Sequence, residues 1–336
     1  MKTGLKIAEG YASPLTVRET QRAIKFLKDT FQKELTGRLH LERISAPLFV
    51  TRKSGINDDL NGVERKVSFD AGAFPGELEV VQSLAKWKRT ALQQYGFSVG
   101  EGLYTDMNAI RRDDDVDNTH SLFVDQWDWE RVISRDQRTP EFLQAVVRDI
   151  VASVAAAKQR VREAFPALRR EVVTDVYFIS SQELEDRYPA LTPKERECEI
   201  TREHKTVFIT QIGGTLKSGV KHDGRAPDYD DWSLNGDLLF WNEILEEPIE
   251  ISSMGVRVDA DALTRQLKIT GDEDRMQFPY HRGILEGTLP LTIGGGIGQS
   301  RLCMFLLEKM HIGEVHVSVW PDEDRAALKK HGVNLL

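Results

Sequence analysis

The clearest periodic pattern in the chain lies between Ile110 and Glu130, where an acidic loop is followed by an alternating segment. From Leu122 onward, one set of alternate positions holds Leu, Val, Gln and Asp, and the other holds Phe, Asp, Trp and Trp. A period of two is typical of a strand with two different faces, so the stretch predicts two strands joined by a charged loop. Gln126 and Asp128 stand on a strand that otherwise has a buried pattern. Buried polar groups are costly unless something binds them, which indicates a site.

Helical periodicity identifies three further segments. A capping box begins at Thr16, and apolar residues at helical spacing extend the predicted helix to about Leu35. Residues 83–92 have a helical pattern that brings three basic side chains close together. Thr139, followed by a proline, predicts the start of a long amphipathic helix that ends near Phe165.

Short alternating or β-branched runs predict additional strands. Pro47 interrupts the first of these runs, and a proline within a strand belongs at a sheet edge or a subunit boundary. There are no repeats and no linker, so we expect one domain spanning 1–336, with an irregular arm over residues 1–14. The predicted strands cover residues 39–50, 67–69, 78–81, 173–179, 206–211, 237–242 and 249–258.

Composition narrows the class of protein. The 336 residues carry a net charge of −8, and no Lys/Arg cluster marks a basic face, which argues against a nucleic-acid partner. No run approaches the roughly 20 apolar residues that a membrane helix needs, and the N-terminus lacks the apolar centre of a signal peptide. Two cysteines form neither a disulfide framework nor a zinc site. We therefore expect a cytoplasmic protein with a small-molecule substrate.

Two carboxylates occupy neighbouring predicted strands near the middle of the chain. Asp237 begins one strand, and Glu250 lies in the next among apolar residues. Carboxylate oxygens are ligands that Mg²⁺ prefers, so the pair is a candidate magnesium site. The spacing alone is equally consistent with an ion pair between one of them and Arg257.

A glycine-rich segment from Thr292 to Leu302 leads into a short apolar helix that bears an arginine. It is neither a Walker loop, because no Gly-Lys-Ser/Thr follows, nor a convincing dinucleotide fingerprint, because the chain lacks βαβ units. A glycine-rich helix start with an arginine suits a phosphate-bearing ligand. The residues concerned are Gly294, Gly295, Gly296, Gly298 and Arg301.

Three segments in the right order resemble the motifs of the class II aminoacyl-tRNA synthetase catalytic domain. LHLERISAPLF, which contains Pro47, resembles the first motif, which forms a dimer interface in that family. Arg111 with the acidic loop and VDQWD resembles the second motif, and GGGIGQSR, ending at Arg301, resembles the third. The resemblance implies an α+β fold, with a mainly antiparallel sheet flanked by helices, and a homodimer.

A closer resemblance covers nearly the whole chain, to the family of ammonia-dependent asparagine synthetases. The anticodon-binding barrel of an aspartyl-tRNA synthetase is lacking. The resemblance implies a ligase that makes asparagine from aspartate, ammonia and ATP through β-aspartyl-AMP and releases AMP and pyrophosphate. The matching segments are SLAKWKR, GEGLYT, VDQWDWERV, RAPDYDDW, SSMGVRVDAD and GGGIGQSRL.

The resemblance also implies roles for the nucleotide-binding residues. Arg111 would hold the α-phosphate, and Arg301 would hold the γ-phosphate or stack on adenine. The four glycines of the third motif would contact ATP, and Asp237 with Glu250 would carry Mg²⁺. The chain departs from the synthetases where their adenine-binding glutamate and phenylalanine stand, because those positions are Phe123 and Val124 here. Backbone groups would then recognise adenine.

The remaining roles concern aspartate and ammonia. Lys88 and Arg257 would bind the α-carboxylate of aspartate. The substrate would then be reversed relative to its orientation in an aspartyl-tRNA synthetase, where the same cations bind the side-chain carboxylate. A carboxylate near the adenylate would take a proton from ammonium, with Asp58 and Asp230 as alternative candidates. The other residues of the aspartate pocket would be Ser83, Gln126, Asp128, Arg225 and Ser253.

Two other functions are possible for a chain with these motifs. A paralogue that charges tRNA would need a basic RNA-binding face, which the composition does not provide. A non-catalytic sensor would be expected to have lost its phosphate arginines or metal carboxylates, whereas the chain retains both sets. An enzyme is therefore favoured.

Overall fold

The structure is a computed structural model that describes residues 4–58, 60 and 64–336. Its strands are β1 Leu41–Arg43, β2 Phe49–Thr51, β3 Ser68–Ala71, β4 Phe74–Val80, β5 Gly102–Ile110, β6 Phe123–Val132, β7 Tyr177–Ser180, β8 Thr206–Thr210, β9 Asp230–Asn242, β10 Glu247–Arg257 and β11 Thr292–Gly298. Its α-helices are α1 Val17–Leu39, α2 Ala85–Tyr95, α3 Pro140–Ala164, α4 Ser181–Arg187, α5 Pro193–His204, α6 Ala260–Thr270, α7 Pro279–Leu285, α8 Gln299–Leu306 and α9 Asp322–Lys330.

Among the described residues, the main sheet has eight strands in the order β1-β5-β6-β11-β10-β9-β8-β7. The pairs at its two ends, β1 with β5 and β7 with β8, are parallel, and every pair between them is antiparallel. A second, smaller sheet contains β2, β4 and β3 in antiparallel order. The predicted fold class, a mainly antiparallel sheet flanked by helices, is confirmed.

The two faces of β6 have different neighbours, as its alternating sequence predicts. Trp127 and Trp129 are fully buried in the main core, which α1 and α3 also enter. The Phe31 ring of α1 lies 4.8 Å from the Trp127 ring between centroids. Because successive side chains of a strand point to opposite faces, Gln126 and Asp128 project away from this core. The hairpin of β5 and β6 thus joins the main core to the polar side of the sheet.

The predicted helices are confirmed, with small differences at their ends. The Thr16 capping box is present. Helix α1 continues four residues beyond Leu35 to Leu39, and His40 ends it in a left-handed conformation. Thr139 caps α3 with the following proline in the first turn. Local capping chemistry is sufficient to fix these starts.

Three strand predictions need correction. Residues 39–50 form two short strands in different sheets, and Pro47 lies between them because proline cannot donate to a ladder. Strand β9 begins at Asp230 rather than at Asp237. The glycine-rich segment is itself strand β11, and only its last residue, Gly298, lies at a helix start, where it caps the α8 helix that bears Arg301.

Residues 4–16 run irregularly across the core, where Leu5, Ile7 and Tyr11 pack against it. Residues 1–3 of the predicted arm lie outside the described residues, as do residues 59 and 61–63. The organisation as one domain stays a prediction. No helix among the described residues is long and apolar enough to cross a membrane.

Candidate active site

A cavity of about 300 Å³ opens on the polar side of β6. Its walls come from β6, β10 and β11 of the main sheet, from the start of α2, and from the segment 223–230. Most of the predicted site residues, although far apart in sequence, line this one cavity. They are Ser83, Lys88, Arg111, Gln126, Asp128, Arg225, Asp230, Glu250, Ser253, Arg257, Gly295, Gly296, Gly298 and Arg301.

The glycines of β11 make one wall of the cavity. In the ladder with β6, Gly294 pairs with Glu130 and Gly296 pairs with Asp128. A Cβ atom on Gly294 would collide with the Glu130 carboxylate, and one on Gly296 would collide with Gln126 and approach Asp128. Glycine is therefore needed so that the side chains of β6 can lie across the strand. The phosphate-binding role of the segment stays a prediction.

Arg257 is the most highly connected cation of the site. Its Nη2 lies 2.8 Å from the Glu130 carboxylate, and its Nη1 pairs with Asp230. The Arg257 and Asp230 side chains are each 3% exposed, and Glu130 is fully buried. The hypothesis that Arg257 pairs with Asp237 or Glu250 is wrong, because Glu130 and Asp230 take both sides of the guanidinium.

Lys88 is buried beside Arg257 in the same wall. Its Nζ donates to the Gly295 carbonyl oxygen at 2.9 Å and lies 3.2 Å from the Asp128 carboxylate. Burial lowers the pKa of Lys88, and the charge of Asp128 opposes that shift. Both predicted aspartate-binding cations therefore lie on the cavity wall with carboxylate partners of their own.

The opposite end of the cavity holds the two arginines of the second and third motifs. Arg111 has a buried Nε without a hydrogen-bond partner. Arg301 donates through Nε to the Thr119 carbonyl oxygen at 3.2 Å and through Nη1 to the Glu250 carbonyl oxygen at 3.3 Å. An unsatisfied buried donor is costly, so this end of the cavity favours an anionic ligand.

Asp237 lies behind the cavity wall rather than on it. It accepts a 2.6 Å hydrogen bond from Arg225, whose other terminal nitrogen donates to Ser253 at 2.9 Å. Burial raises the pKa of Asp237 to about 6, against the opposing charge of Arg225 and with a further contribution from Glu250. Two interacting carboxylates on neighbouring strands are oxygen donors that a divalent cation would stabilise. Among the described residues, no cluster of three or more His, Cys, Asp and Glu side chains has the arrangement of a metal site.

The two candidate proton acceptors have different surroundings. Asp230 is the first residue of β9 and is held by Arg257. Asp58 is 1% exposed, and its Oδ2 has no hydrogen-bond partner. Burial raises the pKa of Asp58; Lys86 opposes the shift, and Asp228 adds to it. Asp58 does not line the cavity itself, although Ser83 beside it does.

Several residues of the site were not predicted. Glu130 continues the series 126, 128, 130 on the cavity face of β6, so the alternation already contained that signal. His120, Asp114 and Tyr229 also line the cavity. A buried cluster of Lys86, Asp228 and His281 had no sequence signal, because its members come from three distant segments.

The fold is similar to that of solved synthetases. Asparaginyl-tRNA synthetase from Pyrococcus horikoshii, complexed with asparaginyl-adenylate, matches with a TM-score of 0.65 at 15% identity over 90% of this chain and 70% of that chain. The enzyme from Entamoeba histolytica, in complex with the same adenylate, matches with a TM-score of 0.62 at 14% identity over 89% of this chain and 66% of that chain. At these identities the likeness concerns the fold, which is that of the class II aminoacyl-tRNA synthetase catalytic domain.

Sequence relatives define the family more narrowly. The aspartate-ammonia ligase family profile matches residues 18–332. Aspartate–ammonia ligase from Bacillus cereus is 56% identical over 97% of this chain and 99% of that protein, and the one from Bacillus cytotoxicus is 57% identical over the same shares. The chain therefore belongs to the aspartate–ammonia ligase family, and the predicted resemblance is confirmed.

Replacing Arg257 tests how much the site's ion pairs contribute to stability. Arg257→Met leaves Glu130 and Asp230 as buried, uncompensated carboxylates, which typically costs about 3–5 kcal/mol. Arg265 provides the control, because its side chain is 56% exposed and its partner Asp231, 3.6 Å away, keeps a second ion pair with Arg138 at 2.9 Å. Arg265→Met should therefore cost less than about 1 kcal/mol. Urea denaturation of both variants measures these differences, and equal losses would contradict the assignment.

The same variant has an expected pH dependence. Burial favours neutral Glu130, but Arg257 and Lys88 outweigh it and lower the pKa of Glu130. The stabilisation from this depressed pKa is present above the unfolded value of about 4.3 and is lost as the pH falls through the folded value. The deficit of Arg257→Met should therefore be fully present at neutral pH and shrink as the pH falls below about 4.

Proposed function

We propose that this protein is an ATP-dependent ligase that makes L-asparagine from L-aspartate and ammonia through β-aspartyl-AMP, releasing AMP and pyrophosphate. The observation that carries the proposal is membership of the aspartate–ammonia ligase family over nearly the whole chain. The single cavity lined by the expected cations and carboxylates supports it. No second function has an observation in its favour.

The proposed reaction has two steps. The β-carboxylate oxygen of aspartate attacks the α-phosphorus of ATP, the bond from that phosphorus to the bridging oxygen breaks, and pyrophosphate leaves. The nitrogen of ammonia then attacks the β-carbonyl carbon, the bond from that carbon to the phosphate oxygen breaks to release AMP, and the nitrogen loses its extra proton to solvent. The first step brings two anions together, so catalysis must come mainly from positioning and charge neutralisation.

Arg111 and Arg301 are the proposed phosphate-binding residues. Arg111 would hold the α-phosphate, and its unpartnered Nε supports that role. Arg301 would hold the γ-phosphate side or stack on adenine, because a planar guanidinium can do either. The backbone of Gly294, Gly295, Gly296 and Gly298 would lie along the nucleotide. Phe123 and Val124 line the cavity where the synthetases have their adenine-binding side chains.

Asp237 and Glu250 are the proposed magnesium ligands. Mg²⁺ is commonly held by one or two carboxylates together with substrate phosphates and water, so a pair of carboxylates fits it. The repulsion between these two carboxylates also favours a cation between them. When bound, Mg²⁺ would neutralise phosphate charge in the transition state.

The proposed aspartate pocket lies at the other end of the cavity. Lys88 and Arg257 would bind the α-carboxylate, and Asp128, Gln126 and Ser83 would accept from the ammonium group or fix its orientation. Arg225 and Ser253, already hydrogen-bonded to each other, would complete the wall. This orientation would direct the β-carboxylate toward the α-phosphate end.

Asp58 is the favoured acceptor for the proton of ammonium. Asp230 is held by Arg257, whereas Asp58 has a free oxygen and a raised pKa. Ammonium would transfer one proton to the Asp58 carboxylate and become ammonia, which has the lone pair needed for attack.

We also propose a cytoplasmic homodimer. Pro47 lies beside edge strand β1, and the next residues, Leu48 and Phe49, are 54% and 46% exposed. Apolar side chains exposed beside a sheet edge favour contact with a second copy of the chain.

The activity itself can be tested by measuring AMP formation from ATP and aspartate. We expect AMP and asparagine to form in equal amounts with ammonium chloride, and no stimulation by glutamine or tRNA. Reaction mixtures lacking aspartate provide the control. AMP formation that requires tRNA would contradict the proposal.

Removing either phosphate arginine should block the first step. Arg111→Ala and Arg301→Ala should each reduce aspartate-dependent ATP–pyrophosphate exchange by about 10²–10³-fold, as for loss of one electrostatic stabiliser. Arg112→Ala, which removes an exposed arginine next to Arg111, should retain the exchange rate. Near-normal exchange in both test variants, with unchanged thermal stability, would reject the roles.

Asp58→Asn should separate the two steps. It removes the proton acceptor but leaves the phosphate arginines, so exchange should continue while asparagine release slows. Because free ammonia increases with pH, the defect should partly recover at high pH and high ammonium. Asp230→Asn is the comparison and should impair exchange, because it alters the support of Arg257. Equal loss of exchange and synthesis in Asp58→Asn would show that Asp58 is not the base.

A further inference from the structure

A second cavity of about 380 Å³ lies beside the first, and neither of the two proposed reaction steps assigns it a role. We call it the side cavity, and its lining includes Asn57, Ser68, Glu77, Glu79, Lys86 and His281. Glu64 lines both cavities, and Lys86 lines the side cavity while Ala85 and Lys88 line the active-site cavity. The two spaces are therefore separated by about one layer of side chains.

Asp58, Gln82 and Asp228 line neither cavity, but they adjoin residues of both, since Asp58 hydrogen-bonds to Ser83 of the active-site cavity and Asp228 pairs with Lys86 of the side cavity. We call these three residues the wall, and it is short of hydrogen-bond donors. Asp58 Oδ2, Gln82 Oε1 and Asp228 Oδ1 are buried without a partner, and no other buried carboxylate or side-chain amide oxygen lacks one in the part of the chain that the structure describes. The three side chains are also connected. Gln82 donates to the Asp58 carbonyl oxygen at 3.2 Å, and Lys86, which interacts electrostatically with Asp58, lies 2.8 Å from Asp228.

Unsatisfied buried acceptors favour a ligand that donates hydrogen bonds. Ammonium is a compact donor with four N–H groups and no acceptor, and it is one of the proposed substrates. Pyrophosphate and the phosphates of ATP are rich in acceptors and would leave these three oxygens unsatisfied, and the ammonium group of aspartate is already assigned to the aspartate pocket.

The charges around the side cavity also disfavour an anion. Arg52 pairs with Glu77 and lies 3.7 Å from Glu79, and Lys86 pairs with Asp228. The lining carries four Lys and Arg side chains and three glutamates. With Asp58 and Asp228 in the wall, five carboxylates face four cations, so there is no excess of positive charge to hold a phosphate.

We propose that the side cavity is the entrance for ammonium, which reaches the adenylate through the wall at Asp58, Gln82 and Asp228. This inference rests on the proposed function. Aspartyl-AMP would occupy the active-site cavity when the third reactant must arrive, so a separate route keeps the larger ligands in place. At the wall, ammonium would lose one proton to Asp58, and the resulting ammonia would continue to the β-carbonyl carbon.

Ser68 provides a test because it is exposed on β3, lines the side cavity and does not line the active-site cavity. Ser68→Trp should obstruct the entrance, and Ser68→Phe places a smaller obstruction at the same position. Ser68→Ala is the matched control, since it removes the hydroxyl that hydrogen-bonds to Glu77 but leaves the cavity open. Thermal unfolding verifies that each variant is folded.

We expect Ser68→Trp to lower kcat/KM for ammonium by about tenfold, as for a step specific to one substrate, while aspartate-dependent ATP–pyrophosphate exchange stays at the wild-type rate. Ser68→Phe should show a smaller decrease, and Ser68→Ala none. Unchanged kcat/KM for ammonium in the folded Trp and Phe variants would overturn the proposal, as would parallel loss of exchange and synthesis. Failure of the wild-type protein to form asparagine would instead reject the proposed function.

Discussion

The double ion pair of Arg257 is the interaction on which the site depends. Arg257 projects from β10 and reaches Glu130 on β6, although β11 lies between those strands in the sheet. Thr292 on β11 adds a 2.7 Å hydrogen bond to Glu130, and Gly294 leaves the space that the carboxylate needs. Such buried charges are costly to desolvate, and they are tolerated because each has a partner with good geometry. One guanidinium thereby fixes the relative positions of β6, β9 and β10.

This arrangement keeps the cations of the cavity in position before a substrate arrives. Lys88 is held by Asp128, Arg225 by Asp237, and Arg257 by its two carboxylates. A substrate anion therefore meets groups that are already oriented, so little reorganisation is needed on binding. The same pairing means that an anion must compete with carboxylates of the protein, which favours ligands that also bring their own cation or ammonium group.

The sequence predicted those parts of the fold that depend on local chemistry. The cap at Thr16 and the alternation of β6 both depend on residues close together in the chain, and both appear in the structure. The glycines of β11 were assigned to a helix start because a run of glycines has no hydrophobic period. Their strand conformation is stabilised by pairing with β6 and β10, which only the folded chain supplies.

The same distinction applies to the site. The motif segments predicted most of the cavity-lining residues, because each motif contains several of them within a few positions of the sequence. The Lys86, Asp228 and His281 cluster could not be found in this way, since its members become neighbours only when α2, the segment before β9 and α7 pack together. Asp58 was identified as a candidate, but its burial and its unpartnered oxygen are properties of the packed wall.

The glycine strand has a consequence for how this cavity can change during evolution. One wall is main chain, and at Gly294, Gly295 and Gly296 even a methyl group meets a neighbouring strand or its side chains. Almost no substitution is tolerated at these three glycines, so the shape of that wall should stay the same among related proteins. Variation in what the cavity accepts must arise at side chains outside this strand, such as Ser83 and Arg225. A lineage that acquired a new substrate would be expected to record the change at those positions while its glycines stayed the same.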